Sequence, residues 1–170
     1  MAWTTLTTYS ADEAVPAAQW NAMVANLSYL KAGRPQLHGD FTTTAWSLGG
    51  AAGAWEADGD AANFKLTIVL GQAGFIIVGT TVRWTSDAAD NASTKFRIKC
   101  DDASTPVYST DMDYNTEPTA DDNREYTCFG YFASLAAATY TVTLEGARRV
   151  ITHTVGVSNR QLVAISGYPA

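Results

Sequence analysis

The chain is short of the residues that most chemistry needs. Its 170 residues include only 2 Cys and 2 His. Cys100 and Cys128 do not form a CxxC pair, and His38 and His153 lie far from both in sequence, so no zinc site, and no metal, is expected. Cations are outnumbered, with 11 Lys and Arg against 17 Asp and Glu and a formal charge of −6. Nucleic acid and anionic lipid call for a basic footprint, so neither is expected as a partner. No apolar run approaches the ~20 residues that span a bilayer, which argues against membrane insertion. Residues 1–13 show no cationic stretch followed by an apolar core, so no secretory signal is expected and synthesis in the cytoplasm is.

Catalytic patterns are missing too. Gly156, Val157 and Ser158 begin a nucleophile-elbow motif, but Arg160 stands where its second Gly belongs. No glycine-rich loop follows a strand and opens a helix, so no phosphate or cofactor cradle is expected. Asp58 and Asp60 flank Gly59 and read as a turn, not as a carboxylate pair. His38 reads as part of a linker, and His153 as an edge or surface residue. In the acidic stretch 111–125, Asp111, Asp113 and Asn115 match the start of a calcium-binding loop. Thr116 replaces its Gly, Asp122 its Glu, and Pro118 interrupts it. A solvated acidic loop is the expectation there. Tyr108, Asp111, Asp113 and Tyr114 form its candidate ligand-contacting set. The chain is not expected to be an enzyme.

What is present is apolar: 46 % of residues are hydrophobic, enough for a folded core. VPAAQWNAMVANLSYLKAG (15–33) predicts one amphipathic helix. Pro16 suits its first turn, and Gly33 followed by Pro35 stops it. Trp20, Met23, Leu27 and Leu30 repeat at 3–4 spacing, a seam two heptads long. A helix of this length is marginal alone, whereas burying those four side chains contributes on the order of 6–12 kcal/mol. The seam has two candidate partners: copies of itself in other subunits, which the heptad spacing favours, or the outside of its own β-domain.

Beyond the helix, residues 34–62 read as a connector of loops and short edge strands anchored by Trp46 and Trp55. From residue 63 onward the period falls to two. Strands are expected over 64–70, 75–84, 95–100, 107–110, 124–132, 139–146, 148–157 and 160–168. Ile76, Val78, Val82 and Trp84 share one face, as do Phe96, Ile98 and Cys100, and Trp84, Tyr126 and Tyr140 fall at inward positions. The two cysteines read first as buried thiols and second as a disulfide between neighbouring strands. The five Trp and eight Tyr have flat faces that suit sugar rings, although core packing accounts for those pointing inward. Successive antiparallel strands predict a mainly β protein, an antiparallel jelly-roll sandwich preceded by an extended arm and one short amphipathic helix. The expected division is 1–33 arm and helix, 34–62 connector, and 63–170 β-sandwich.

Two resemblances follow. WTTLTTYSADEAVPAAQWNAMVANLSYLKAG resembles the opening of tailed-bacteriophage structural proteins: Trp3 in an extended arm, Ala17 and Ala18 at a helix start, Asn21, then Asn26-Leu27 and Leu30-Lys31. AGFIIVGTTVRW is similar to a strand of tumour-necrosis-factor-like and complement-globular-head jelly rolls, matched by Gly74, Val78, Val82 and Trp84. SLAAATYTVTLEG and QLVAISGY resemble later strands of that family, with Ala138-Thr139 where Gly-Asp is usual. Together they imply a homotrimeric virion protein that decorates and stabilises the capsid shell. Trp3, Leu6 and Tyr9 would attach it to other virion proteins, and Trp20, Met23, Leu27 and Leu30 would form the trimer seam. The alternative they leave open is a tail appendage or a module that binds a glycan or protein on the host surface.

Overall fold

The computed structural model describes residues 18, 21–24, 35–86, 93–115, 124–149 and 155–168. Residues 18 and 21–24 are helical; everything regular after them is strand. The strands run β1 (Gln36–Thr42), β2 (Trp46–Leu48), β3 (Glu56–Ala57), β4 (Leu66–Leu70), β5 (Gly74–Ser86), β6 (Ser93–Asp101), β7 (Val107–Tyr108), β8 (Met112–Asn115), β9 (Arg124–Leu135), β10 (Ala138–Arg148) and β11 (Val155–Gly167). The chain is mainly β, and its two sheets are antiparallel throughout.

The first sheet has the order β1-β11-β5-β9, with β2 also pairing β11. The second has the order β3-β10-β6-β7, with β4 on β10 and β8 on β6. From β4 onward the chain crosses repeatedly between sheets, which is the jelly-roll arrangement of two Greek keys. Alternation explains the core. In β4, Leu66, Ile68 and Leu70 point inward while Thr67 and Val69 point out. Ile76, Val78, Val82 and Trp84 of β5 are fully buried, and so are Phe96, Ile98 and Cys100 of β6, as their period-two spacing requires. Cys100 and Cys128 are buried free thiols. Burial pushes the Cys100 thiol up to about 12, far from a reactive thiolate.

Two features depart from the sequence reading. Residues 34–62, expected as loops and short edge strands, supply the short β2 and β3 but also β1, which pairs with β11 along seven residues. Trp46 and Leu48 of β2 approach β10 closely at Gly146, where a Cβ would lie 2.9 Å from Trp46 and 3.0 Å from Leu48. His38 therefore stands in a strand, not in a linker. The second feature concerns 148–157 and 160–168. These were expected as separate strands, but 155–167 form one strand. Ser158 and Asn159 fall between the two expected strands, yet with Arg160 they form a bulge where the register to β5 shifts. Asn159 takes φ 45°, a left-handed conformation that Asn tolerates. The bulge resets the alternation, turning Arg160, Leu162 and Ala164 inward and Val163 and Ile165 outward.

Candidate functional site

Beneath the bulge, Arg160 is fully buried, as is Asp58 at 3 % exposure. Arg160 Nη2 donates to Asp58 Oδ1 at 2.8 Å, and Nε lies 2.5 Å from Oδ2. Nη1 donates to the carbonyls of Thr44 and Val157. One side chain thus ties β11 to the segments on either side of β2. Burial raises the Asp58 carboxyl above its ordinary value, opposed by the Asp60 amide and by Arg160. This is a structural anchor, and it decides which side chains reach the outer face of the first sheet.

That outer face is apolar across all four long strands. In one row Leu37 opposes Ile165, Ile165 opposes Ile77, and Ile77 opposes Tyr131. In the next, Gly39, Val163, Gly79 and Phe129 align, and Phe41 begins a third. Exposure is 75 % for Leu37, 59 % for Phe41, 68 % for Phe129 and 67 % for Tyr131, with Ile77, Val163 and Ile165 near 40 %. At about 150–250 Å² per large side chain, these seven expose roughly 800 Å² of apolar side chain. The largest apolar patch on an ordinary monomer is about 300–600 Å². A hollow of about 230 Å³ lies at its centre, lined by Ile77, Gly79, Phe129, Val163 and Ile165. Another of about 290 Å³ sits beside it at Phe75 and Tyr131, whose rings are 6.4 Å apart.

The outer face of the second sheet is charged and paired. Arg97 Nε and Nη2 reach Glu145 Oε2 at 2.8 and 2.6 Å. The guanidinium lies between two rings, 4.1 Å from the centroid of Trp55 and 3.8 Å from that of Tyr108. Such contacts contribute about 0.5–1 kcal/mol each where solvent reaches them. Lys99 pairs with Asp101 at 2.8 Å; the mutual hydrogen bond raises the lysine and lowers the carboxyl.

Of the residues marked from sequence, Tyr108 is placed in this cluster. Asp111 lies nearby, 4.0 Å from Lys95. Asp113 and Tyr114 belong to β8, in register with Lys95 and Thr94 of β6, so part of the expected acidic loop is a strand. Met23 is helical and half-buried, whereas Trp20, Leu27, Leu30, Trp3, Leu6 and Tyr9 lie outside the described residues, as does His153. Sequence reasoning missed Phe129, Tyr131, Ile77, Val163 and Ile165. Their signal was present: FIIV, LVAI and CFGYF are apolar at both parities, the mark of a strand covered on both sides. Among the described residues no helix is long and apolar enough to cross a membrane, and no His, Cys, Asp and Glu cluster has metal-binding form.

By its topology the chain is an antiparallel jelly-roll sandwich protein. No family model matches it, and no curated protein does. Among solved structures it is similar to Eiger TNF from S. frugiperda, with TM-score 0.48, 9 % identity, and 81 % of this chain and 96 % of that one covered. It is similar to a chain of infectious bursal disease virus Gx strain, with TM-score 0.46, 8 % identity and 81 % of this chain covered; it spans 37 % of that chain's length. It is also similar to the decameric BFDV capsid protein, with TM-score 0.36, 5 % identity, and 78 % and 99 % covered.

Proposed function

We propose that the protein is a non-enzymatic structural component of a bacteriophage virion, a homotrimer that decorates and stabilises the capsid. The observation that carries this reading is the apolar outer face of the first sheet. Roughly 800 Å² is what one partner contributes to a standard stable interface, and that much apolar surface is costly to leave in water. Lys, Arg, Asp and Glu are absent from three of its rows, positions 37, 39, 41, 77, 79, 81, 127, 129, 131, 161, 163 and 165, and the next row sets Arg83 opposite Glu125 at the border of the patch. Copies of the chain cover it, and the seam of Trp20, Met23, Leu27 and Leu30 adds a second contact among them. Trp3, Leu6 and Tyr9 in the arm dock on the shell. Clamping neighbouring shell subunits stabilises the particle because bound trimers add free energy that the unassembled state lacks.

Light scattering on the purified full-length protein tests this reading. The expected mass is about three times the 18.2 kDa of one chain. A monomer at micromolar concentration overturns it. Deleting residues 1–14 should then leave the trimer intact and abolish attachment to particles.

A further inference from the structure

The outer face of the second sheet carries a cluster that neither self-association nor shell attachment uses. Trp55 and Tyr108 come from separate segments, one preceding β3 and one in β7, and meet only through the Arg97 guanidinium between them. Glu145 holds that guanidinium from the side with two charge-assisted contacts, so the rings have a rigid spacer. Two residues along β6, Lys99 and Asp101 form a second pair. Each cation has its own carboxylate. A phosphate or sulfate would have to displace one, which argues for a neutral ligand. Tyr108 remains 40 % exposed although its ring meets the guanidinium, so the residue keeps surface that a ligand can reach.

A partly exposed aromatic side chain bordered by fixed donors and acceptors matches the two surfaces of a pyranose. The ring C–H groups lie on the aromatic face, and the hydroxyls, each both donor and acceptor, bridge ammonium or guanidinium to carboxylate. We propose that Trp55 and Tyr108, with the Arg97–Glu145 and Lys99–Asp101 pairs, form a binding site for a neutral saccharide. It lies on the side of the sandwich away from the apolar face, so an assembly joined through that face still displays it. The site does not depend on that assembly.

The test uses full-length protein with labelled tryptophan, titrated to about 10 mM with maltohexaose, cellohexaose, xylohexaose, mannohexaose, laminarihexaose and chitohexaose. Trp55→Phe identifies the indole resonance of Trp55. With at least one sugar that resonance should shift and saturate. Tyr108→Ala should weaken binding at least about tenfold, while Tyr108→Phe, which keeps the ring, should hold it within about threefold. Mass by light scattering should be the same for both variants as for the parent protein, separating loss of the site from loss of assembly. No indole shift with any of these sugars, or a shift that survives Tyr108→Ala, overturns the proposal.

Discussion

The two sheets of this sandwich obey one rule inside and opposite rules outside. Inward positions of both are mostly apolar and buried, with Thr80, Thr94, Arg160 and Ser166 as the polar exceptions. Outward, the first sheet shows Leu, Ile, Val, Phe and Tyr across four strands, while the second shows Arg97, Glu145, Lys99, Asp101 and a row of threonines. Folding the single chain requires only the inward half, so the outward difference concerns what each face meets. Covering roughly 800 Å² at about 25 cal/mol/Å² yields roughly 20 kcal/mol gross. Association costs about 4–15 kcal/mol in lost freedom, with side-chain ordering and polar desolvation in addition. The second face carries no such continuous apolar surface, but paired charges beside the rings of Trp55 and Tyr108.

The largest expected effect breaks the comparison from beneath. The apolar face is in phase with β5 because the β11 bulge resets the strand and Arg160 pins it to Asp58. Replacing Arg160 by Met leaves a buried carboxylate unpaired and should cost about 3–5 kcal/mol. The double variant Arg160→Met, Asp58→Leu removes both charges and should recover most of that loss. Urea unfolding midpoints of the two variants measure the difference. Equal destabilisation in both would mean that the bulge geometry, not the ion pair, is what matters.

This anchor also marks the limit of what the sequence made legible. The period-two runs of β4, β5, β6, β9 and β10 were readable because each places its apolar residues on one inner face. Arg160 was not. It opens the expected strand 160–168, but nothing local reveals that Asp58, far away in sequence, waits for the guanidinium. The short strands β2 and β3 fit the expected connector, but the seven-residue β1 was hidden for a related reason. The Gly and Ala content of its surroundings lowers strand propensity, and pairing with β11 overrides it. The apolar face was legible in principle through its two-sided runs. The polar face was legible only as Tyr108, because an Arg between two rings depends on register between distant strands.

The next effect addresses the first face itself. Phe129→Glu places a charge at the centre of the apolar rows and should weaken self-association by about 2–4 kcal/mol. The melting temperature of the monomer should hardly change, because Phe129 is mostly exposed. Dilution series by light scattering give the shift. The same series at low and high salt sharpens the contrast: association through the three uncharged rows of that face should hold or tighten as salt rises.

On the second face the sign of the salt effect reverses. Glu145→Gln removes the charge that holds Arg97 between its rings. It should cost about 1 kcal/mol at low ionic strength, where the half-buried pair is least screened. In high salt the difference between variant and parent protein should shrink. A constant difference would mean that packing of Trp55 and Tyr108 on the guanidinium, rather than the ion pair, supplies the stabilisation.

The smallest effect is a pH term that belongs to the inner side of the first sheet. His38 in β1 hydrogen-bonds Ser166 of β11 through Nε2 and Oγ at 3.1 Å, and burial lowers its pKa from 6.5. A lowered histidine binds fewer protons in the folded chain than in the unfolded one between its folded pKa and 6.5. Its contribution to stability is therefore present above 6.5 and is lost as pH falls through that window. His38→Gln keeps a hydrogen-bonding group and removes the titration, so its melting temperature should follow the parent's above pH 6.5 and exceed the parent's trend just below it. The three uncharged rows of the apolar face outside the same strands carry no ionised group across that window. Self-association should then stay constant while stability slopes. If both fall together, the β1–β11 pairing couples the titrating edge to the association face.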